Sequence, residues 1–127
     1  MIAPTLRKKE RMVSRKLIDT LFDGNGQSMA AFPLRVVFMK KERTAYDAPI
    51  QILISVPKKR FKHAVDRNHV KRQVREAYRL HKDILYNALP ADQQLLLAFV
   101  WLSDSHLSTA KVEERVISLL HRIAERL

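Results

Sequence analysis

Ten lysines and arginines crowd the 25 residues from Lys58 to Lys82, with Asp66 and Glu76 the only acids among them. Like charges this close repel one another along any regular helix. Such a segment is destabilised as a helix unless it segregates its cations from its apolar residues and something anionic offsets them. Counted at roughly 100° per residue from Arg67, the side chains of Arg67, Asn68, Lys71, Arg72, Arg75, Arg79 and Lys82 fall within about 140° of arc. Val70, Val74, Ala77, His81, Ile84 and Leu85 fall within about 100° on the opposite side. One arc is suited to burial and the other to a polyanion.

The formal net charge is +11, and +8 of it lies in residues 58–82. Residues 1–20 carry +4, residues 21–57 carry +1 and residues 83–127 carry −2. A polyanion site is thus expected from the first and third segments together, with ordinary globular surface after Lys82. At 127 residues and 46% apolar content the chain, residues 1–127, reads as a single domain with a modest core rather than a disordered basic tail. A pI near 10.4 favours a nucleic acid as partner over an anionic membrane surface. With no cysteine, disulfides, thiolate metal sites and cysteine nucleophiles are excluded, and the composition suits a reducing cytoplasm. The first residues lack the apolar run of a signal peptide, and the longest apolar run, Leu95 to Leu102, is too short to span a bilayer. A soluble, cytoplasmic protein with no membrane association is the expectation.

Along the chain, Ser14 caps a short helix over 15–22 in which Leu17, Ile18, Leu21 and Phe22 recur at helical spacing. Asp23-Gly24-Asn25-Gly26 is a stop and turn signal. Residues 34–39 alternate as a strand, and an additional short strand before Leu34 is possible within the same pattern. The polar stretch 40–49 reads as the loop of a long hairpin leading to a second strand at 50–56. Asp66 is placed to cap a helix from Arg67 to about Asn87. Residues 95–101 read as a buried central strand, and Ser108 opens a last helix with Val112, Val116, Leu119, Leu120 and Ile123 as its stripe. The fold class is α+β, in the order α-β-β-(β)-α-β-α, with a mixed sheet. Its strand–helix–strand unit is right-handed by the general rule.

Protein-based catalysis finds little support. Gly24 and Gly26 share one turn, so there is no phosphate loop. His63, His69, His81, His106 and His121 show no metal-ligand spacing, and no acidic pair is set to hold two catalytic metals. Asp66 reads as a cap, Glu76 as an i,i+3 partner of Arg72 or Arg79, and His81 as a half-buried packing residue. The rows Arg67, Lys71, Arg75 and Arg79 or Lys82 suit a phosphate backbone, and the Asn68 amide suits a sugar hydroxyl or base edge.

The run Ala64-Val65-Asp66-Arg67-Asn68-His69-Val70-Lys71-Arg72-Gln73-Val74-Arg75-Glu76 resembles the RNR motif of the bacterial ribonuclease P protein subunit. Ile54-Ser55-Val56-Pro57-Lys58-Lys59 resembles that family's strand end, residues 11–26 its first helix and turn, and residues from Leu107 its closing helix. The resemblance implies a ribosomal-protein-like α/β sandwich with a left-handed βαβ crossover, replacing the right-handed default. It implies a protein subunit of a ribonucleoprotein endoribonuclease that removes the 5′ leader of precursor tRNA, with the catalytic RNA and its Mg²⁺ ions doing the chemistry. No catalytic and no metal-binding residue is expected in the protein. Its implied partners are that RNA and the precursor tRNA leader, with no protein partner required. By position, Lys58, Lys59, Arg67, Asn68, His69, Lys71, Arg72, Arg75 and Arg79 are the RNA-binding residues. Ile18, Phe22, Arg35, Val37 and Ser55 line the leader cleft. His69 stands where the motif usually has its second arginine, and Ile18 and Val37 are aliphatic where aromatics are common. The link Arg60-Phe61-Lys62-His63 is one residue longer than usual. A structural RNA-binding protein of ribosomal type is the alternative; it explains the charge but not the coincidence of motif, first helix and closing helix. A double-stranded DNA binder is disfavoured, since no helix-turn-helix pair is visible.

Overall fold

The computed structural model describes residues 5–127, the side chain of Asn25 excepted. Helix α1 (Arg15–Thr20) opens where expected, with the Ser14 hydroxyl accepting from the Leu17 N–H at 3.3 Å. It runs into a wider turn over Leu21–Asn25, which ends at Gly24 with φ +81°. A left-handed residue there favours glycine. Gly26 is needed for a different reason: a Cβ on it would lie 2.7 Å from Val37 Cγ1 and 2.8 Å from the Leu21 carbonyl oxygen. The glycines thus bring the end of α1 hard against the sheet.

Four strands follow: β1 (Gln27–Ala31), β2 (Leu34–Glu42), β3 (Ile50–Ser55) and β4 (Gln93–Trp101), in the spatial order β1-β2-β4-β3. The short strand before Leu34 is therefore present and forms an antiparallel hairpin with β2. The reading of 40–49 as a hairpin loop between β2 and β3 is corrected. β2 runs on through Lys40, Lys41 and Glu42, and β4 lies between it and β3, antiparallel to one and parallel to the other. The physical reason is burial. β4 is the most continuously apolar strand, with Leu95 to Phe99 fully enclosed, so it takes the centre and leaves β3 at an edge. The parallel β3–β4 pair is joined through α2 (Ala64–His81) and the short α3 (Asp83–Tyr86).

Alternation along the strands divides the sheet into two faces. Leu34, Val36, Phe38, Ile50, Ile52, Leu95, Leu97, Phe99 and Trp101 form the main core with the apolar arcs of α2 and α4 (Thr109–Ala124). The expected α4 stripe is entirely buried, and Ser108 caps this helix by accepting from the Lys111 N–H at 3.2 Å. On the other face a smaller cluster of Met12, Leu21, Val37, Leu96 and Ala98 packs under α1 with Leu17, Ile18, Met39 and Leu53.

Two further expectations about α2 are corrected. The helix begins at Ala64 with His63 as the N-cap, so Asp66 is not the cap but lies in the first turn. Phe61 is buried beside it and anchors the chain just before the helix, which starts three residues earlier than the carboxylate would have set it. Lys82, assigned to the polar arc, is 3% exposed. The helix breaks at that residue, and its side chain turns inward to Glu10. The expected single helix to Asn87 is thus α2 plus α3.

Candidate nucleic-acid interface

The exposed arc of α2 and the turn before it carry the RNR-motif residues. Lys58 and Lys59 are exposed in the turn leaving β3. Arg67 is half-buried, and its Nη1 donates to the carbonyls of Phe61 at 2.9 Å and Lys62 at 3.0 Å. It therefore clamps the longer link onto the first turn of the helix while part of its guanidinium stays open. Asn68, His69 and Arg72 are exposed, whereas Lys71, Arg75 and Arg79 are half-exposed. Glu76 pairs with Arg79 at 2.8 Å, which settles its choice between Arg72 and Arg79. Among the described residues, Lys58, Lys59, Lys71, Arg72 and Arg75 have no acidic partner, so their charges are not neutralised within the chain.

His69 acquires a neighbour that no sequence spacing announced. The ring of His106, from the loop before α4, meets His69 edge-on at 5.1 Å and stacks on Phe61 at 4.5 Å. His106 Nε2 lies 3.0 Å from Asp66 Oδ1, and Gln73 donates to the Leu107 carbonyl at 3.0 Å. This loop is docked along the start of α2 and braces the motif.

The second group of residues gathers on the sheet face that α1 only partly covers. Strand register aligns Ala30, Arg35, Val100 and Ser55 across all four strands, with Ser28, Val37, Ala98 and Leu53 aligned one pair further on. Arg35 is exposed and donates through Nε to Ser28 Oγ at 3.0 Å, and Ser55 is half-buried. Phe22 is 42% exposed in the turn that follows α1. Ile18 is half-buried in the α1 packing, while Val37 is 4% exposed beneath Leu21 and forms floor rather than wall. Arg35, Ser55 and Phe22 thus offer the accessible surface, and Ile18 and Val37 support it.

The N-terminal segment is fastened between the two sites. Arg11 bridges Ile52 in parallel at the free edge of β3, and the Met12 N–H donates to the Ile52 carbonyl at 2.7 Å. Before it, buried Glu10 accepts from Lys82 Nζ at 2.8 Å, from the Tyr86 hydroxyl at 2.7 Å and from the Arg7 N–H at 2.7 Å. Lys82 also donates to the Thr5 carbonyl. Burial raises the Glu10 pKa, but the hydrogen bonds from Lys82, Tyr86 and Arg7 outweigh it and hold the carboxyl below its ordinary value. Burial and the bond to Glu10 push the Tyr86 phenol well up. The remaining surface after Lys82 is less neutral in role than its charge suggested. Arg115 and Arg122 of α4 donate to the Phe32 and Ala30 carbonyls, covering the free edge of β1. Among the described residues, no three His, Asp or Glu side chains converge as a metal site, and no helix is long and apolar enough to cross a membrane.

Fold and surface together define a small basic α+β domain with an unneutralised cationic helix face beside a partly open sheet. Comparison with known proteins narrows this class. The model of the Ribonuclease P family matches residues 6–124. The Ribonuclease P protein component of Porphyromonas gingivalis is 43% identical over 122 residues, covering 94% of this chain and 86% of that one. That of Chlorobaculum tepidum is 37% identical over 93 residues, covering 68% and 60%. Among solved structures, the RNase P protein of Thermotoga maritima superposes with a TM-score of 0.68 at 23% identity, covering 89% of this chain and 96% of that one. The Staphylococcus aureus RNase P protein does so with a TM-score of 0.69 at 20% identity, covering 91% and 95%. The chain belongs to the ribonuclease P protein family and is the protein component of an endoribonuclease holoenzyme with an RNA partner.

Proposed function

We propose that the α2 face binds the catalytic RNA of ribonuclease P and that the sheet face beside α1 receives the 5′ leader of precursor tRNA. The observation that carries this reading is the row of cations without acidic partners, Lys58, Lys59, Lys71, Arg72 and Arg75, on one rigid helix and its entry turn. Arg67 and Asn68 stand at the same surface, with Arg79 at its far end. Such a face holds phosphates and fixes orientation, and each contact releases counterions, so six to eight contacts correspond to a log affinity–log salt slope of about −5 to −7. An exposed cation at Arg35 and an exposed ring at Phe22 support the reading of a single strand running between α1 and the sheet. In this reading Mg²⁺ is held mainly by the RNA, which supplies the chemistry. The protein's groups neutralise phosphate, hold the leader and thereby favour Mg²⁺ occupancy on the RNA, in the cytoplasm. No protein side chain is given a catalytic step.

The test is cleavage of precursor tRNA by the cognate catalytic RNA at low Mg²⁺, with and without the purified protein. Stimulation that depends on the leader is the expected result. Absence of stimulation at every protein concentration would remove this reading and leave a structural RNA-binding role.

A further inference from the structure

A half-open groove of about 230 Å³ lies at the free edge of β3, where the N-terminal segment passes the middle of α2. It adjoins the sheet face assigned to the leader, sharing Met12 and Leu53 with the cluster under α1, but brings in Arg11, Lys71 and Arg75 where that face has Arg35, Ser55 and Phe22. Three kinds of group meet there. Arg11, Lys71 and Arg75 put three cations around the groove, none with an acidic partner among the described residues. Leu6 and Val13 supply apolar walls over buried Met12, and Val13 is 86% exposed, an apolar side chain left without cover at the rim.

The third group is backbone. The Ile52 carbonyl points away from β4 to receive the Met12 N–H. Strand alternation then points the N–H and C=O of Ile54 the same way. The N-terminal segment meets the edge at Ile52 only, so among the described residues no backbone group meets those of Ile54. An unpaired edge presents one donor and one acceptor side by side. Cations, an apolar wall and an adjacent free donor and acceptor match the three things a nucleotide needs from a protein: charge for phosphate, a face for the ring, and hydrogen bonds for its edge.

We propose that this groove takes one unpaired RNA nucleotide, its base against Leu6 and Val13 beside the Ile54 backbone and its phosphate among Arg11, Lys71 and Arg75. The volume is below the roughly 300–1,000 Å³ of drug-sized sites, which suits a single base rather than a stacked run. A continuous duplex keeps its bases in the stack and would touch only the cationic rim, so a splayed nucleotide is the ligand the floor selects. The inference rests on the reading that the α2 face meets RNA, and it extends the contact across the sheet edge to Arg11.

The experiment places a photoreactive benzophenone side chain at Val13 in the full-length protein, assembled with catalytic RNA and precursor tRNA. Crosslinks confined to one or two unpaired nucleotides support the proposal, and their position in the catalytic RNA or in the leader identifies the source. Crosslinks only within the protein, crosslinks spread over helical RNA, or none at all, in a complex that still forms, overturn it. Alongside, Arg11→Gln and Val13→Asp alter exposed side chains, with thermal unfolding as the check on the fold. Arg11→Gln is expected to lower the magnitude of the salt slope by about 0.7–0.9. Val13→Asp is expected to weaken RNA binding by about tenfold, the equivalent of about 1.4 kcal/mol. Unchanged slope and affinity in both variants, with normal wild-type binding, overturn this inference alone. A wild-type protein that fails to bind RNA overturns the parent reading as well.

Discussion

Replacing Lys82 by methionine should destabilise the protein more than any exposed charge change, because it breaks an ion pair that is almost wholly enclosed. The Lys82 and Glu10 side chains are 4% and 11% exposed and meet at 2.8 Å. Removing one member of a buried pair leaves the other charge uncompensated, at a cost of about 3–5 kcal/mol. Here Glu10 would keep its bonds from Tyr86 and the Arg7 N–H, while the Lys82 contact over the Tyr86 ring at 5.4 Å would be lost. The expected loss is therefore at the lower end of that range, about 3 kcal/mol. In a chain of this size it corresponds to a fall in Tm of about 8–15 °C. Urea unfolding of Lys82→Met, Glu10→Leu and the double variant measures the coupling directly. The double variant should recover most of the loss, since an apolar pair can replace an ionic one at little cost. The pH dependence has a determined sign. Glu10 is held below its ordinary pKa, so its contribution is fully present above the unfolded carboxylate value, about 4.3, and is lost as pH falls through the folded value. Lys82→Met should flatten that acid-side loss. A cost below about 0.5 kcal/mol, or strictly additive single effects, would refute the reasoning.

Four further outcomes are expected. Gly26→Ala should cost about 1–3 kcal/mol by urea unfolding, because its Cβ would overlap Val37 and the Leu21 carbonyl. Phe22→Ala should reduce affinity for leader-bearing substrate by the equivalent of about 1–3 kcal/mol, with little change for mature tRNA, as read in parallel binding titrations. Arg67→Ala should weaken binding of the catalytic RNA and also cost about 1 kcal/mol of stability, since two carbonyls lose their donor; a filter-binding assay with a thermal melt separates the two effects. His69→Arg should be tolerated or should tighten RNA binding, since a fixed charge joins an exposed surface. Markedly weaker binding would show that its edge contact with His106 has a specific task.

The helices were legible where local rules operate. Ser14 and Ser108 cap as their side chains dictate, and the α2 arc from Val70 to Leu85 is buried, apart from half-exposed His81 and Ile84, as its spacing requires. The cationic face followed from the same projection, and the motif within it identified the family. Non-local choices were another matter. Residues 40–49 looked like a hairpin loop because strands close in sequence usually pair, yet β4 displaced β3 from β2 by burying more apolar surface. Asp66 had the composition of a cap but not the position, and what it meets instead comes from 40 residues away in His106.

Lys82 marks the division most clearly. By sequence alone it belongs with Arg75 and Arg79 on the polar arc, and the charge of the segment is set by composition whatever the fold. Whether a given lysine faces solvent depends on what packs beside it. Glu10, 72 residues earlier, is carried there by the bridge of Arg11 to the β3 edge. The sequence by itself therefore determined a basic, amphipathic helix and the family that carries it. Only the tertiary structure decided which cations are spent on holding the chain together and which stay at the surface without an acidic partner, because burial and ion pairing are properties of distant segments brought into contact.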